Sequence, residues 1–384
     1  MKLIFAVLML AQGLWAAVIS VGPGKQFERP CEAIKAAKSG DVIEIDAAGT
    51  YADDHDSCVI MTGGLTIRGV KGRPHLVAPR YMAEAKAVFV VRAENTTIEN
   101  LEISGAFNTS RNGAAIRDEE KNLTLRHVFF HDCQNGVLTA RDGLGDILIE
   151  DSEFANNGEG DGYSHNLYIN HAEKFTLRSS YSHDAKVGHL VKSRARVNYI
   201  LNNHPSDGPQ GTASYEIELP NGGTTYVIGN LIEKSATGSN NVMLSFRAEA
   251  GNPRQAEFMF PNDDLHVVNN TFISRQTELH NPHNPNSPAK PAPTKFIFID
   301  PSTKAPAVIQ NNIFQAVQVK FVTNQESAIL KSNILPDKNA KLGAHFELLE
   351  ASPAIGAATP VEKEVESLRR ANIHDIGAFA KEKK

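Results

Sequence analysis

The 384-residue sequence predicts an all-β protein, a right-handed parallel β-helix (a solenoid) with a short N-terminal capping helix. Three observations predict it. One short phrase recurs along the chain, a polar residue within it falls at coil-sized steps, and both ends carry segments suited to covering an open core.

The phrase is an apolar, often β-branched pair, a small polar residue, and a second apolar or aromatic pair. It reads Thr97-Ile98-Glu99-Asn100-Leu101 in one copy, Val227-Ile228-Gly229-Asn230-Leu231 in another and Ile309-Gln310-Asn311-Asn312-Ile313-Phe314 in a third. Taking Asn100, His127, Ser152, Ser180, Asn203, Asn230, Asn270, Asn312 and Asn333 as one column, the steps are 27, 25, 28, 23, 27, 40, 42 and 21 residues. Steps of roughly 20–30 suit one coil of a solenoid. The two long steps mark loop insertions. Equivalent residues of stacked coils lie about 4.8 Å apart, so a side-chain amide at each turn can bond to its neighbours above and below.

At the N-terminal end, Arg29 to Lys38 reads as a short amphipathic helix with Ala33, Ile34, Ala36 and Ala37 on its apolar side. Gly40-Asp41-Val42-Ile43-Glu44-Ile45 follows as a first strand. Residues 279–294 hold five prolines, which cannot continue a strand, and are expected to form an exposed insertion between coils.

Before these elements lie Met1, Lys2, an apolar run from Leu3 to Leu10 and a small-residue exit at Ala16-Ala17, the pattern of a signal peptide over residues 1–17. Residues 18–384 are expected to be a single domain, because each coil buries itself on the next and the core lengthens without splitting. No later run reaches the roughly 18 apolar residues that a membrane span needs. The expected location is therefore secreted or periplasmic, and the expected state monomeric. Cys31, Cys58 and Cys133 are an odd set. Either Cys31 bridges Cys58, as an oxidising compartment allows, or all three are buried free thiols.

Two stretches resemble the pectate-lyase-like β-helix superfamily: Gly22-Pro23-Gly24 through Gly40-Asp41 to Gly49-Thr50-Tyr51, and Ser352-Pro353-Ala354-Ile355-Gly356 with Asp375-Ile376-Gly377-Ala378-Phe379. The first resembles the superfamily's opening, where a helix plugs the barrel, and the second its closing segment. The resemblance implies the fold and leaves the reaction open.

The formal net charge of -5 gives no whole-molecule steering towards an anionic ligand, so any such attraction must be local. Between residues 174 and 196 stand Lys174, Arg178, Lys186, Lys192, Arg194 and Arg196 with His183 and His189, against one acid, Asp184. Stacking should gather part of this run on one side as an anion-binding patch. Strand alternation then places Asn166, Tyr168 and Asn170 outward beside Leu167 and Ile169, Lys192 and Arg194 outward beside Val191 and Ser193, and both Glu216 and Glu218 outward beside Ile217 and Leu219. Arg247 faces out one coil later. Asn170, Lys192 and Glu218 are expected to be neighbours, as are Tyr168 and Glu216, with the register free to slip by two residues.

That cluster suits removal of the carbon-5 proton of a uronic acid, which requires a cation at the carboxylate, a base, and an acid for the leaving oxygen. Lys192, beside Arg194 and His189, is the first candidate base. His189 and His165 are the others, and Tyr168 is the candidate proton donor. Glu216-x-Glu218 also resembles the calcium-binding pair of chondroitinase and alginate lyase type β-helix lyases, which implies calcium held by Glu216, Glu218 and an asparagine, Asn170 or else Asn221, with Arg247 as the family's arginine. Here Pro220-Asn221-Gly222-Gly223 stands where that family's lysine would follow, and ion pairs of the glutamates with Lys192 and Arg194 are the alternative. Asp53-Asp54-His55-Asp56 faintly resembles the Asp-Pro-His-Asp signature of mannuronan epimerases but lacks the proline, and reads as a polar loop.

The expected function is a polysaccharide lyase cleaving a uronic-acid-containing polysaccharide by β-elimination, with an acidic polysaccharide as partner and no nucleic acid. A uronate C5-epimerase and a non-catalytic carbohydrate-binding β-helix are the alternatives. The low aromatic content, 7%, leans against the binding module. A glycoside hydrolase would need paired carboxylic acids facing a sugar bond, and bases surround these glutamates.

Overall fold

The structure, a computed structural model, describes residues 16–141, 143–279, 281, 284, 286–370 and 374–379, so the expected signal peptide lies almost wholly outside the described residues. Among them the chain winds through three parallel sheets of 12, 9 and 10 strands, called here sheets 1, 2 and 3. One coil runs, for example, from Thr97–Glu99 in sheet 1 through Glu102–Ser104 in sheet 2 to Ala114–Asp118 in sheet 3. The parallel β-helix is therefore the fold of the chain.

The inward face is built by alternation. In sheet 1, Ile19, Ile43, Ile67, Ile98, Leu125, Ile149, Leu177, Ile200, Val227, Val267 and Ile309 stack in register, each less than a tenth exposed. Aliphatic side chains repeated at strand spacing fill such a column without gaps, and burying each stabilises the fold by about 1.5–3 kcal/mol before ordering costs.

The expected polar column proves to be two adjacent columns at the bend from sheet 1 to sheet 2. One holds Asn100, His127, Asp151, Ser179, Asn202, Gly229, Asn269, Asn311 and Ser332, whose φ angles lie between 50° and 73°. This left-handed conformation favours glycine and short polar residues, which accounts for the residue types. The next position carries the ladder. Asn203, Asn230, Asn270 and Asn312 each donate a backbone N–H to the side-chain oxygen of the residue one coil on, at 2.8, 2.9, 2.8 and 2.8 Å. Their amide groups donate back to backbone carbonyls, Asn230 to Ile200 and Asn270 to Val227. Asn100 and His127 belong to the first column and not to the ladder: in their coils the ladder position is Leu101 and Val128, and the Val128 N–H is met by the Ser152 hydroxyl at 3.2 Å.

The helix at the N-terminal end spans Pro30–Ala36, with proline in its first turn and Pro30, Ala33 and Ile34 buried against the barrel. The Cys31–Cys58 disulfide ties it to the first strand of sheet 3, and Cys133 is a buried free thiol. A strand at Val18–Val21 precedes Val42–Asp46 and pairs with it, so the strand expected to come first is the second. Asp53-Asp54-His55-Asp56 is a capped 3-10 turn in which Asp56 pairs with Arg29 at 3.0 Å. At the other end Ala354 and Ile376 pack with Ile313, Ile334 and Leu348, closing the barrel as expected. A second short helix, Lys363–Leu368, sets Val365 against Tyr226 and Val268 on the outer face of sheet 1.

The two long steps are loops at opposite corners of sheet 3. Residues 247–263 link Val242–Phe246 to Asp264–Val268 in sheet 1. Residues 275–293, holding the prolines, join sheet 2 to sheet 3 and form a small antiparallel pair, Glu278–Leu279 with Lys290–Pro291; His280, Pro282, His283 and Pro285 lie outside the described residues.

Asp118 ends its strand facing the interior, aligned with Val91 and Thr139, and is 1% exposed. Burial pushes its carboxyl up to about 7, only weakly opposed by the Glu120 N–H. A carboxyl whose folded value exceeds its unfolded one stabilises below the unfolded value and loses that contribution as pH rises through the folded one. Asp118→Asn is therefore expected to be near neutral at about pH 4 and to gain on the order of 1.4 kcal/mol over the parent per pH unit up to about pH 7. Denaturant midpoints measured across that range check it; a pH-independent difference would exclude a buried titrating carboxyl.

Candidate functional site

The outer face of sheet 3 carries one continuous row, Leu138, Tyr168, Lys192, Glu218 and Ser245, one residue per coil. Each is the middle or outward member of a short strand whose flanking residues, Leu167 and Ile169 or Val191 and Ser193, face the core. Lys192 and Glu218 are thus direct neighbours, and Nζ lies 2.8 Å from the carboxylate. The same Glu218 oxygen stands 3.0 Å from Nδ1 of His189. Lys192 Nζ lies 5.1 Å from the centre of the Tyr168 ring, and Nε of Arg194 donates to the Tyr168 hydroxyl at 3.2 Å.

Beside this row the imidazoles of His165 and His189 lie with centres 4.3 Å apart and planes tilted by 34°, and Tyr215 meets His189 edge-on at 4.9 Å. Nδ1 of His165 accepts the His189 backbone N–H at 3.0 Å. Burial pushes His165 well below the usual histidine range, reinforced by His189, Lys192 and Arg194. Burial lowers His189 too, and Glu218 opposes that only in part. Burial disfavours charge on Glu218 itself, yet its His189 and Lys192 neighbours outweigh this and hold it well below the carboxylate range.

Arg194 is 5% exposed. It makes two bonds to Glu249, at 2.9 and 2.8 Å, and one to Asn221 at 2.6 Å. Glu249 comes from the 247–263 loop, which leans back across the corner: its Phe258 stacks on His171 and its Glu257 reaches Arg141. Glu249 escaped sequence reasoning. The 40-residue step flagged the insertion but carried no signal for where it folds.

The other expected site residues lie elsewhere. Glu216 turns into the interior corner between sheets 2 and 3, is fully buried, and pairs with Lys234 at 2.8 Å. Burial raises its carboxyl against the pull of Lys234. Asn166 occupies the same kind of corner, bonded to Asn157, Ser182 and two backbone carbonyls, and does not face outward. Asn170 aligns beyond the row and bonds to Thr139. Arg247 is held by Asp263 at 2.6 Å and by the Phe260 carbonyl at 2.7 Å. Tyr168 neighbours Lys192, not Glu216.

The residues nominated for calcium are therefore not brought together. Glu216 and Glu218 are neutralised by separate bases, and Asn170 is satisfied by backbone and hydroxyl partners. This donor set does not fit the ion. Nor does the basic run form one patch. A coil visits all three sheets within about two dozen residues, so Lys174 and Arg178 fall on sheet 1, His183 on sheet 2 and Lys192 on sheet 3. Each meets a carboxylate from another coil: Asp146, Glu150, Glu153 and Glu218 respectively.

No protein-family model matches the sequence, and no curated protein matches it. Solved structures do. Pectate lyase Pel9A superposes with a TM-score of 0.56 at 12% identity, covering 91% of this chain and 90% of that one. The alginate lyase of Paenibacillus sp. str. FPU-7 gives 0.36 at 15% identity over 83% and 99%, and pectin methylesterase PemA of Erwinia chrysanthemi 0.37 at 12% over 89% and 99%. At these identities what the first likeness establishes is architecture, and the chain has the pectate-lyase-like parallel β-helix fold.

Proposed function

We propose that the chain is an exported, monomeric polysaccharide lyase that cleaves a uronic-acid-containing polysaccharide by β-elimination on the outer face of sheet 3. The observation that carries this is the His189–Glu218 pair beside Lys192 and Tyr168. The Cys31–Cys58 bridge supports export, since such bonds persist in oxidising compartments. The fold shared with a protein named as a pectate lyase is compatible with the reading.

In this reading His189 replaces Lys192 as the base. Burial keeps its imidazole neutral, and Glu218 favours the tautomer with the proton on Nδ1, leaving Nε2 to accept one. Lys192, ion-paired with Glu218 at 2.8 Å, also turns its charge to the uronate carboxylate, stabilising the carbanion formed when the carbon-5 proton leaves. The electron pair closes the carbon 4–carbon 5 double bond, the carbon 4–oxygen bond breaks, and the Tyr168 hydroxyl protonates the departing oxygen. Arg194 and Glu249 position Tyr168, and His165 holds the His189 backbone.

Incubation with pectate, alginate, glucuronan and glycosaminoglycans is expected to release unsaturated uronates, read by ultraviolet absorbance, from at least one polymer. Carbon-5 proton exchange without cleavage would replace the lyase with an epimerase. Binding without either would favour the second reading, a carbohydrate-binding protein without catalysis. Three exposed rings favour that alternative: Tyr81, Phe107 and Tyr163 are 66%, 48% and 84% exposed, a supply of aromatic surface that the composition alone did not promise.

A further inference from the structure

On the outer face of sheet 2, away from the row just described, three coils bring His75, Glu102 and His131 together. His75 and Glu102 are paired across adjacent strands, and His131 pairs with Ser104, two residues along from Glu102 on the same face. Nδ1 of His75 lies 3.5 Å from Oε1 of Glu102, and Nε2 of His131 lies 3.2 Å from that oxygen. One ligand atom from each residue falls within 4.8 Å of the other two. We propose that these residues form a binding site for a divalent transition-metal ion, with zinc as the reference ion.

Geometry supports it first. In a tetrahedron with bonds of roughly 2.0–2.1 Å, neighbouring ligand atoms stand roughly 3.3 Å apart. Both separations to Glu102 bracket that length, so an ion fits with small side-chain adjustments.

The outer contacts point the same way. Nε2 of His75 lies 2.7 Å from the Ser104 hydroxyl, and Nδ1 of His131 lies 2.8 Å from the Asp132 carboxylate. Each ring thus has one nitrogen engaged by an oxygen and the other aimed at Glu102. Ligating histidines are oriented in this way by second contacts, which fix the tautomer and raise ligand basicity. His131 has carboxylates at both nitrogens, so a neutral ring there would set a lone pair against an anion. A cation between Nε2 and Glu102 removes that conflict. The Phe129 ring, stacked at 4.3 Å, holds the His131 plane.

Two imidazoles and one carboxylate select zinc, copper or nickel over calcium and magnesium, which take oxygen ligands. The side chains are 39%, 26% and 18% exposed, so the ion can enter from solvent and keep a water at its open position. A bound ion would join three consecutive coils, and the site stands apart from the lyase reading.

Titration calorimetry on the tag-free, chelator-treated full chain with zinc chloride is expected to show one equivalent bound per chain at this site. His75→Ala and His131→Ala should each weaken that binding at least about 100-fold, and Asp132→Asn about 10–100-fold through loss of the second contact. Cobalt should give the intense visible absorption of a tetrahedral centre, removed by Glu102→Gln, and excess calcium should not compete. Circular dichroism of the variants separates lost binding from lost folding. His189→Ala should leave the zinc isotherm unchanged. No binding by the parent chain, or equal binding by the folded His75 and His131 variants, would overturn the proposal and leave these residues as a polar cluster around Glu102 without a metal.

Discussion

Lys234→Met is expected to cost about 3–5 kcal/mol of folding stability, the loss that follows when one partner of a buried ion pair is removed and the other stays charged. Lys234 and Glu216 are both 0% exposed, and Nζ bonds to both carboxylate oxygens, at 2.8 and 3.1 Å, and to the Ser214 carbonyl. Methionine fills the same volume, so the loss reports charge and not a cavity. Without Lys234 the Glu216 carboxyl, already raised by burial, rises further. Its proton then stabilises the folded chain at low pH and is lost as pH rises through the raised value, which already stands at about 8 with Lys234 in place, so the deficit should be small at about pH 4 and reach its full size only above about pH 8, where the carboxylate is ionised. Glu216→Gln added to Lys234→Met should recover most of it. Urea midpoints of the two single variants, the double variant and the parent form the cycle. Equal losses at both pH values, with no recovery in the double variant, would locate the effect in packing.

The second large effect concerns the outer row. His189→Ala is expected to lower the rate of uronate elimination by about 100- to 10,000-fold with little change in substrate binding, the range typical of a lost general base. Glu218→Gln should lower it less while moving the acidic limb of the rate against pH, because Glu218 orients the imidazole and opposes its desolvation. Lys192→Ala should raise KM and lower kcat as well, as expected of a charge that meets the carboxylate in the ground state and holds it more strongly as the carbanion forms. If Lys192→Ala abolished turnover while His189→Ala spared it, the base would be the lysine, and the imidazole would be a support for the row. Unsaturated-product absorbance under saturating and limiting substrate distinguishes these outcomes.

How far the sequence reaches differs between the strands and the corners. Along a strand, side chains alternate strictly, so Leu167, Ile169, Val191 and Ser193 could be placed inward and Tyr168, Lys192 and Glu218 outward from the residues alone. The coil-sized steps then made Lys192 and Glu218 neighbours. At a corner the alternation ends. Asn166 and Leu167 are consecutive and both face inward, which is why Asn166 and Glu216 were expected on the wrong side. The same loss of phase hides the difference between the left-handed column and the ladder one residue later, so Asn100 and His127 were aligned one position off. Insertions are opaque for another reason: Glu249 and Asp263 reach Arg194 and Arg247 through loops whose course no periodicity encodes.

The left-handed bend and its asparagine ladder also bear on how such a chain changes length. The nine coils from Asn100 to Ser332 present the same left-handed bend to their neighbours, and the ladder bonds run only from one coil to the next. A whole coil could therefore be duplicated or deleted with the seams still matching, much as a page is added to a ring binder. The groups of the proposed site do not share that freedom. Tyr168, Lys192 and Glu218 come from three consecutive coils, and a page inserted among them would part the histidine from its carboxylate. Growth by duplication is thus closed across residues 165 to 249, and likewise across the three coils that carry His75, Glu102 and His131.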